Sequence, residues 1–366
     1  MNRMAGLKRE GHWVDQFGRT KRKLRISVTD RCNFKCVYCM PEHPEWMKKH
    51  DLLSFEQLYL FCEFMVRRGI ESIRITGGEP LMRQGVVHFI AQLQQLKLHG
   101  LKRISMTSNA HYLKQYALAL KQAGLDDLNI SLDSLDANQF KQLTQKQLTP
   151  VLEGIAAAQA VGLPIKINSV LIKGINDDQI LPLAHWSVQE NINVRFIEFM
   201  PLDGERKWSS EHVVSEQAIL AQLKTAFNIS NPLHQSADPA RQYLINDHPI
   251  GIISTMTHSF CGSCDRLRLT AQGEFYNCLF APQGLDLKSK IKALAAADPF
   301  SETSLEQTLM HYIWNKEQGF HAIEQRLNQQ NSHQNNHHTN SQINHQNSNQ
   351  NVLKNNRKIS MHMLGG

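Results

Sequence analysis

Three cysteines lie within a short stretch near the start of the chain, where they offer three thiolates to a metal cluster that usually takes four. They are Cys32, Cys36 and Cys39, in the pattern Cys-x3-Cys-x2-Cys, and are called the first triad below. An iron–sulfur cubane held by only three thiolates keeps one iron open for a ligand that is not protein. The spacing therefore favours a [4Fe-4S] cluster with one vacant position.

A second triad lies far downstream and consists of Cys261, Cys264 and Cys278. Six of the 7 cysteines thus fall into two incomplete ligand sets, and we predict a second [4Fe-4S] cluster. A structural zinc site is the alternative, because His258 would complete a Cys3His tetrahedron at acceptable spacing. The seventh cysteine, Cys62, stands at an apolar position of a helical pattern and is interpreted as a packed core residue.

The bulk composition limits the class of protein. The chain has 366 residues, of which 41% are hydrophobic, and a net charge of +7. This length predicts one large domain and a smaller part, and the basic charge suits an acidic ligand such as a nucleotide or a nucleic acid. The chain shows neither a signal-peptide run nor an apolar stretch of about 18 residues. We therefore expect a cytoplasmic protein, in which clustered cysteines more often bind metal than form disulfides.

Short β-branched runs alternate with amphipathic stretches from residue 24 onward. The predicted strands are Leu24–Val28, Ser72–Thr76, Arg103–Thr107, Leu128–Leu132, Ile165–Leu171 and Asn193–Phe199. Repeated strand–helix units favour a parallel sheet with right-handed crossovers, and six of them predict an α/β fold, a partial (β/α)6 barrel of the TIM type. Polar residues and glycines follow the strands, as in Gly77-Gly78-Glu79-Pro80, and barrels place their chemistry at those strand ends.

Composition also divides the chain. We predict an N-terminal extension over residues 1–23, the barrel over 24–201 and a C-terminal region with the second cluster over 202–326. Residues 327–356 are rich in Asn, Gln and His, and we expect this insert to be disordered because it buries too little apolar surface. A tail over 357–366 follows it.

The first triad, with Tyr38 before its last cysteine and Gly-Gly-Glu-Pro after the next strand, resembles the radical S-adenosylmethionine (SAM) superfamily. A closer resemblance is to the GTP 3′,8-cyclase family, which opens molybdenum cofactor (molybdopterin) biosynthesis. The segments that carry it are 24–34, 73–81, 261–270 and the terminal Gly365-Gly366. The resemblance covers residues 13–326 and the last ten residues.

This resemblance implies two [4Fe-4S] clusters and SAM as cofactors, with GTP as the substrate. The first cluster would cleave SAM to a 5′-deoxyadenosyl radical, which removes H3′ of GTP. The C3′ radical would then attack C8, giving (8S)-3′,8-cyclo-7,8-dihydroguanosine 5′-triphosphate. The guanine base would bind the open iron of the second cluster, so that region 202–326 also binds GTP.

The resemblance also assigns individual residues. The SAM contacts would be Tyr38, Gly78, Ser131 and Met200. The GTP contacts would be Arg25, Arg74, Thr107, Lys166, Arg266, Leu267 and Arg268. The catalytic residues would be the first triad with Arg266, Arg268, Gly365 and Gly366, because the Gly-Gly tail of this family inserts toward the active site. Glycine at position 78 would let a ligand approach the backbone, and arginine suits a triphosphate.

The implied partners are an electron donor such as a flavodoxin or ferredoxin and, downstream, cyclic pyranopterin monophosphate synthase. We expect a monomer or homodimer that binds neither nucleic acid nor membrane. A radical SAM enzyme that modifies peptides or RNA is one alternative, but it does not predict Arg266-Leu267-Arg268 together with a terminal Gly-Gly. A zinc-stabilised nucleic-acid-binding protein is the other, since six cysteines and a basic charge would suit it.

Overall fold

A computed structural model describes residues 13–202, 208–232, 238–296, 298–335 and 363 of the chain. The strands in these residues are β1 (Trp13–Val14), β2 (Thr20–Lys21), β3 (Lys23–Ser27), β4 (Ser72–Thr76), β5 (Arg103–Ser108), β6 (Asp127–Ser131), β7 (Ile165–Leu171), β8 (Asn193–Glu198), β9 (Arg241–Ile245), β10 (His248–Ile253), β11 (Arg266–Leu269), β12 (Glu274–Tyr276) and β13 (Leu285–Asp286).

The helices of the same residues are α1 (Phe55–Val66), α2 (Val86–Leu93), α3 (Leu113–Gln122), α4 (Ala137–Thr144), α5 (Thr149–Ala160), α6 (Ile180–Glu190), α7 (Glu216–Leu223), α8 (Lys288–Ala295), α9 (Ser301–Trp314) and α10 (Phe320–Asn335). Within the described ranges, none of these helices combines the length and the apolar character needed to cross a membrane.

Strands β3 to β8 form the barrel. Each pairs in parallel with the next one along the chain, and helices lie between them in sequence. The predicted α/β fold with a partial (β/α)6 barrel is confirmed. Strands β4 and β7 begin and end at the predicted residues, because their alternation of apolar and polar residues is regular.

The C-terminal region continues this sheet at both edges. Strand β11 pairs in parallel with β3, and β10 pairs in parallel with β8. Strands β9, β12 and β13 add antiparallel pairs outside them, giving an 11-stranded sheet within the described residues. The region that follows the barrel in sequence is therefore part of the wall around its interior.

Strand alternation separates the apolar core from the inner face of the barrel. In β3, Leu24 and Ile26 are fully buried in the hydrophobic core between the sheet and the helices, together with Phe61 and Cys62 of α1. Cys62 is thus a core residue, as predicted. Arg25 stands between the two apolar residues, and because successive side chains of a strand point to opposite faces, it points into the barrel.

Helix α10 extends beyond the predicted start of the disordered insert. It continues to Asn335, past residue 327, and its first turns are anchored by the buried Phe320 and Ile323. A helix that is already nucleated by packing extends at little further cost, which composition alone does not reveal. The rest of the predicted insert and all of the tail except Met363 lie outside the described residues.

The close packing of α3 and α5 can be tested at Gly154. A Cβ at this position would collide with the Ala110 carbonyl and lie 3.1 Å from Leu113 Cβ. We expect Gly154→Ala to lower the free energy of unfolding by about 1–3 kcal/mol through overpacking, measured as a lower thermal unfolding midpoint. Ala156→Ser also adds one heavy atom, at an exposed position of α5, and should change the midpoint far less. Equal midpoints for the two variants would contradict this account.

Candidate active site

The first triad lies in the loop after β3, and all three of its cysteines line the central cleft of the barrel. The cleft has an empty volume of about 1410 Å³, which includes its open mouth. The end of α4 anchors the loop, because the backbone amides of Lys35 and Val37 donate to the carbonyls of Thr144 and Leu143, each over 3.1 Å. These bonds fix the chain on both sides of the middle cysteine.

The Gly-Gly-Glu-Pro turn after β4 supports the same cysteine loop. The amide of Gly78 donates to the Thr29 carbonyl over 2.8 Å, and the amide of Glu79 donates to the Arg31 carbonyl over 2.8 Å. A Cβ on residue 78 would collide with the Arg31 carbonyl and lie 2.6 Å from Asp30 O. This contact between two backbones is by itself a reason for the glycine, and the expected approach of a ligand to Gly78 stays a prediction.

The Glu79 carboxylate ties the ends of β4 and β5 to the first triad. It accepts hydrogen bonds from the Ser108 hydroxyl over 2.9 Å and from the Asn109 amide over 2.7 Å. The Asn109 side chain in turn donates to Asn33 Oδ1 over 2.8 Å and to Cys32 Sγ over 3.8 Å. Glu79 and Asn109 are absent from the predicted site residues, although both follow a strand in the polar runs that mark this face.

The thiols of the first triad are buried where an isolated thiolate would be unstable. Burial raises the pKa of Cys32 to about 12, and the Glu79 carboxylate adds to the effect. Burial, together with the neighbouring thiols, also raises the pKa values of Cys36 and Cys39 well above the ordinary value. Ionised cysteines in this place need the positive charge of a bound metal, so the donor set fits an iron–sulfur cluster.

The residues that the resemblance assigns to SAM all line the central cleft: Tyr38, Gly78, Ser131 and Met200. The hydroxyl of Tyr38 donates to Asp133 Oδ2 over 2.7 Å, and Asp133 Oδ1 accepts from the Val170 amide over 2.9 Å. Burial raises the pKa of Asp133 to about 6. Asp133 is therefore a further site residue, and it holds the tyrosine ring at the cleft wall.

A layer of basic side chains crosses the inside of the barrel. Five of the predicted nucleotide contacts line the central cleft, namely Arg25, Arg74, Thr107, Arg266 and Arg268. Lys166 lines an adjoining cavity that also contacts Arg25 and Arg74. The sheet register sets Arg268 opposite Arg25, and Arg25 opposite Arg74. Three neighbouring strands thus carry arginine in one row.

Leu267 differs from the other predicted nucleotide contacts. Its side chain is fully buried in the hydrophobic core, whereas its neighbours Arg266 and Arg268 line the cleft. Successive residues of a strand point to opposite faces, so a ligand in the cleft would meet residue 267 only through its backbone.

Arg195 of β8 belongs to the basic layer, although it is not among the predicted site residues. It lines the central cleft and the adjoining cavity, and its Nη2 donates to Asn129 Oδ1 over 2.6 Å. On the paired strand β10, a Cβ at Gly251 would lie 2.7 Å from Arg195 Cγ, so the glycine leaves room for the arginine. The signal in the sequence is a lone charge between the apolar Val194 and Phe196.

The interior of the barrel concentrates positive charge that would favour binding of an anion. Burial lowers the pKa of Arg25 well below its ordinary value, and the neighbouring arginines add to the effect. Burial likewise lowers the pKa of Arg74 to about 10. Thr107 Oγ1 and Asn168 Oδ1 are buried without a hydrogen-bond partner among the described residues, and both residues line the cleft. Crowded cations and an unpaired hydroxyl at Thr107 suit a polyphosphate, and the unpaired Asn168 oxygen suits a ligand hydroxyl.

The second triad lies beside the central cleft, around the hairpin of β11 and β12. It lines a cavity of its own, and Phe260, Arg266 and Arg268 line both this cavity and the cleft. Cys264 Sγ accepts hydrogen bonds from Arg266 Nη2 over 3.7 Å and from Lys316 Nζ over 3.6 Å. Although burial opposes ionisation, these cations lower the pKa of Cys264 to about 6. Cys264 is therefore favoured as the thiolate, which is the form that binds metal, whereas burial raises the pKa of Cys278.

The histidine of the alternative zinc site is engaged elsewhere. His258 Nδ1 lies 3.0 Å from Glu216 Oε2. Over the ranges that the structure describes, no group of three or more His, Cys, Asp or Glu side chains is arranged to hold a single metal ion. A cubane takes each thiolate on a different iron, so its ligands do not have to converge on one point.

The terminal Gly365 and Gly366 lie outside the described residues, and their role stays a prediction. Met363, which precedes them, packs against Tyr276 and Ala281 in a small apolar cluster that also contacts Cys278. Residue 363 thus lies near the second triad.

Two family models together match most of the chain. The model described as the radical SAM superfamily matches residues 26–187, and the one described as molybdenum cofactor synthesis C matches residues 192–322. The GTP 3′,8-cyclase of Streptomyces coelicolor is 42% identical over 288 residues, which cover 76% of this chain and 84% of that protein. The GTP 3′,8-cyclase of Thermodesulfovibrio yellowstonii is 40% identical over 299 residues, which cover 80% and 92%.

The fold is also similar to that of a solved structure. Streptococcus suis SuiB, in a crystal structure bound to S-adenosylmethionine, superposes with a TM-score of 0.57 over 78% of this chain and 67% of that chain. The two sequences are 15% identical, so the similarity concerns the fold alone.

The backbone contact at Gly78 can be tested by iron content. Gly78→Ala forces the cysteine loop away from the Gly-Gly-Glu-Pro turn, so we expect anaerobic reconstitution to yield about four fewer irons per chain than the wild type, the content of one cubane. The matched control is Gly262→Ala, which lies between two cysteines of the second triad but in open space, and it should keep its iron. Equal iron in both variants and the wild type would contradict the proposed constraint.

Proposed function

The chain belongs to the GTP 3′,8-cyclase family of radical SAM enzymes, which carries out the first step of molybdenum cofactor biosynthesis, and we propose how its residues divide that reaction. The two triads hold two [4Fe-4S] clusters, and the central cleft between them binds SAM and GTP together. The observation that carries this proposal is the common lining of the two cavities by Phe260, Arg266 and Arg268.

The first triad and its supporting loops form the SAM side of the cleft. With the first cluster, SAM supplies the 5′-deoxyadenosyl radical that removes H3′ of GTP before C3′ bonds to C8. Tyr38, Gly78, Ser131 and Met200 position SAM, and Asp133 fixes the Tyr38 ring through its 2.7 Å hydrogen bond. The apolar walls contributed by residues such as Val170 and Ile197 exclude water, which protects a reactive radical.

The basic layer binds the triphosphate of GTP. Arg25, Arg74 and Arg195 are the third residues of their strands, so they lie deeper in the barrel than the first triad, which follows the end of β3. GTP therefore enters with its phosphates toward the interior and its base toward the second triad. Each phosphate contact replaces repulsion between buried arginines by a charge-assisted hydrogen bond.

Arg266 and Arg268 stand where the two halves of the site meet. Arg268 is opposite Arg25 in the sheet register, and Arg266 Nη2 lies 3.7 Å from Cys264 Sγ. Their charges would hold the nucleotide between the basic layer and the second triad, whose cluster would bind the guanine base. Thr107 Oγ1 can donate to a sugar or phosphate oxygen, and Asn168 Oδ1 can accept from a sugar hydroxyl, since neither atom has a hydrogen-bond partner among the described residues. Holding the ribose in this way fixes which hydrogen faces SAM.

The terminal Gly365 and Gly366 complete the site from the C-terminal side. The packing of Met363 against Tyr276 and Ala281 supports this assignment, because it places residue 363 in an apolar cluster that also contacts Cys278. A tail without side chains at its end can enter a filled cleft without displacing the substrate.

The surrounding chemistry implies two further proteins and a compartment. An electron donor of the flavodoxin or ferredoxin type supplies the reducing electron, and a cyclic pyranopterin monophosphate synthase consumes the cyclised nucleotide. The free thiols of both triads suit the reducing cytoplasm.

Isotope transfer tests the reaction directly. The reconstituted, dithionite-reduced protein is incubated anaerobically with SAM and GTP deuterated at C3′, and the products are analysed by mass spectrometry. We expect deuterium in 5′-deoxyadenosine and an equal amount of cyclised nucleotide, whereas GTP deuterated at C2′ should transfer none. Cleavage of SAM without transfer would remove GTP as the substrate. No cleavage by protein with both clusters loaded would contradict the assigned chemistry.

Whether the triphosphate reaches the basic layer inside the barrel can be tested by substituting Arg195. We expect Arg195→Leu to weaken GTP binding by about 10- to 100-fold, the loss of one hydrogen bond to a charged group, while guanosine binds as before. Equilibrium dialysis with both ligands measures the difference. Arg67→Leu, at an exposed arginine that directly follows α1, serves as the control. Equal weakening of GTP and guanosine would show that Arg195 does not contact the phosphates.

A further inference from the structure

Buried positive charge is concentrated at the second triad. Lys21 and Lys316 are 0% and 2% exposed, and Arg19 is 8% exposed; these three residues are called the buried cation group. Asp15 pairs with two of them, because its Oδ2 accepts hydrogen bonds from Arg19 Nε and Lys21 Nζ, each over 2.6 Å. Lysine is almost never fully buried without a partner, so Lys316 in particular needs a reason for its position.

Lys316 joins two segments that carry cysteine ligands. Its Nζ donates to the carbonyl of Asn277, the residue before Cys278, and to Cys264 Sγ over 3.6 Å. Its own backbone is held in turn, because Gln16 Nε2 donates to the Lys316 carbonyl over 3.2 Å. The lysine is thus fixed at both ends, with its charge next to a ligand sulfur.

The hairpin of β1 and β2 holds the other side of the same loop. Arg19 Nη1 donates to the Cys261 carbonyl over 2.7 Å, and Lys21 Nζ donates to the Cys264 carbonyl over 2.8 Å. The N-terminal segment predicted as an extension therefore fastens two of the three ligands of the second triad.

The charges near the second triad do not cancel among the described side chains. Asp265 is paired with Lys23 at 3.1 Å and Glu317 with Arg326 at 2.8 Å. Asp15 offsets one of the three charges of the buried cation group, which leaves two positive charges in this group in addition to that of Arg266 beside Cys264. A cubane on three thiolates carries one net negative charge when oxidised and two when reduced, because its core changes from 2+ to 1+.

The first triad has the opposite surroundings. Its closest buried ionisable neighbours include the carboxyl groups of Glu79 and Asp133, which act on the pKa values of its thiols. Negative charge near a cluster disfavours an added electron, whereas positive charge and hydrogen bonds to its sulfurs favour it.

We propose that Lys316 is a positioning residue that, with Arg19 and Lys21, holds the second triad and makes its cluster easier to reduce than the first. This inference rests on the proposed function, since it assumes a cluster at the second triad. The lysine charge stabilises the reduced cluster, and its hydrogen bond keeps Cys264 directed at the iron.

The test isolates the second cluster in the full-length chain. The parent variant carries Cys32→Ser, Cys36→Ser and Cys39→Ser, and is reconstituted anaerobically so that iron can bind only at the second triad. Lys316→Met, Lys316→Arg and the control Lys290→Met are made in this parent. Lys290 is a lysine of α8 with an exposed contact to Ser304. Iron content is measured first, and the midpoint potential then follows from a redox titration monitored by electron paramagnetic resonance.

We expect Lys316→Met to lower the ratio of reduced to oxidised cluster at a fixed potential about tenfold, a shift of about 59 mV to more negative potential for a one-electron couple. Lys316→Arg should restore most of the shift, and Lys290→Met should leave the potential unchanged. Loss of iron in Lys316→Met but not in Lys316→Arg would also support the role of the charge. An unchanged potential in Lys316→Met, or equal loss of iron in both variants, would overturn the proposal. A parent without iron would instead remove the second cluster from the proposed function.

Discussion

The active site depends on one contact between two backbones, that of the Gly77-Gly78 turn with the loop that carries the first triad. The amides of Gly78 and Glu79 donate to carbonyls of that loop, and the absence of a Cβ lets the chains meet. Since Glu79 also holds the ends of β4 and β5, the same turn connects the cysteines to the barrel. The cysteines of the first triad are thus held in place by the sheet, although they lie in a loop.

A second constraint is electrostatic. The barrel holds a row of arginines on its inner face, and burial disfavours their charged forms. A fold that keeps such a row must gain its stability elsewhere, from the continuous apolar core on the outer face of the same strands. The strands therefore have two roles. Their outward-facing residues stabilise the fold, and their inward-facing arginines are available to bind an anion. This division follows directly from the alternation of side chains along a strand.

The sequence predicts those features that are local. Strands such as β4 and β7 have a regular alternation, and both triads have a distinctive spacing. Arg195 also has a local signal in the sequence, because it lies between two apolar residues of a strand, as Arg25 does. By contrast, the pairing of β10 with β8 and of β11 with β3 joins residues far apart in sequence, which periodicity cannot reveal. The hydrogen bond from Arg19 to the carbonyl of Cys261 also joins residues far apart in sequence. The same holds for the packing that extends α10.

The pairing of β11 with β3 has a consequence for biosynthesis. Strand β3 is among the first parts of the barrel to leave the ribosome, but one of its edges is unpaired until Arg266–Leu269 has also been made. An open strand edge can pair with the wrong partner, and contacts that span most of a chain form slowly. The nascent N-terminal half is therefore a half-open sheet that carries the three free thiols of the first triad. The growing chain completes the wall around this triad only when it reaches the second triad.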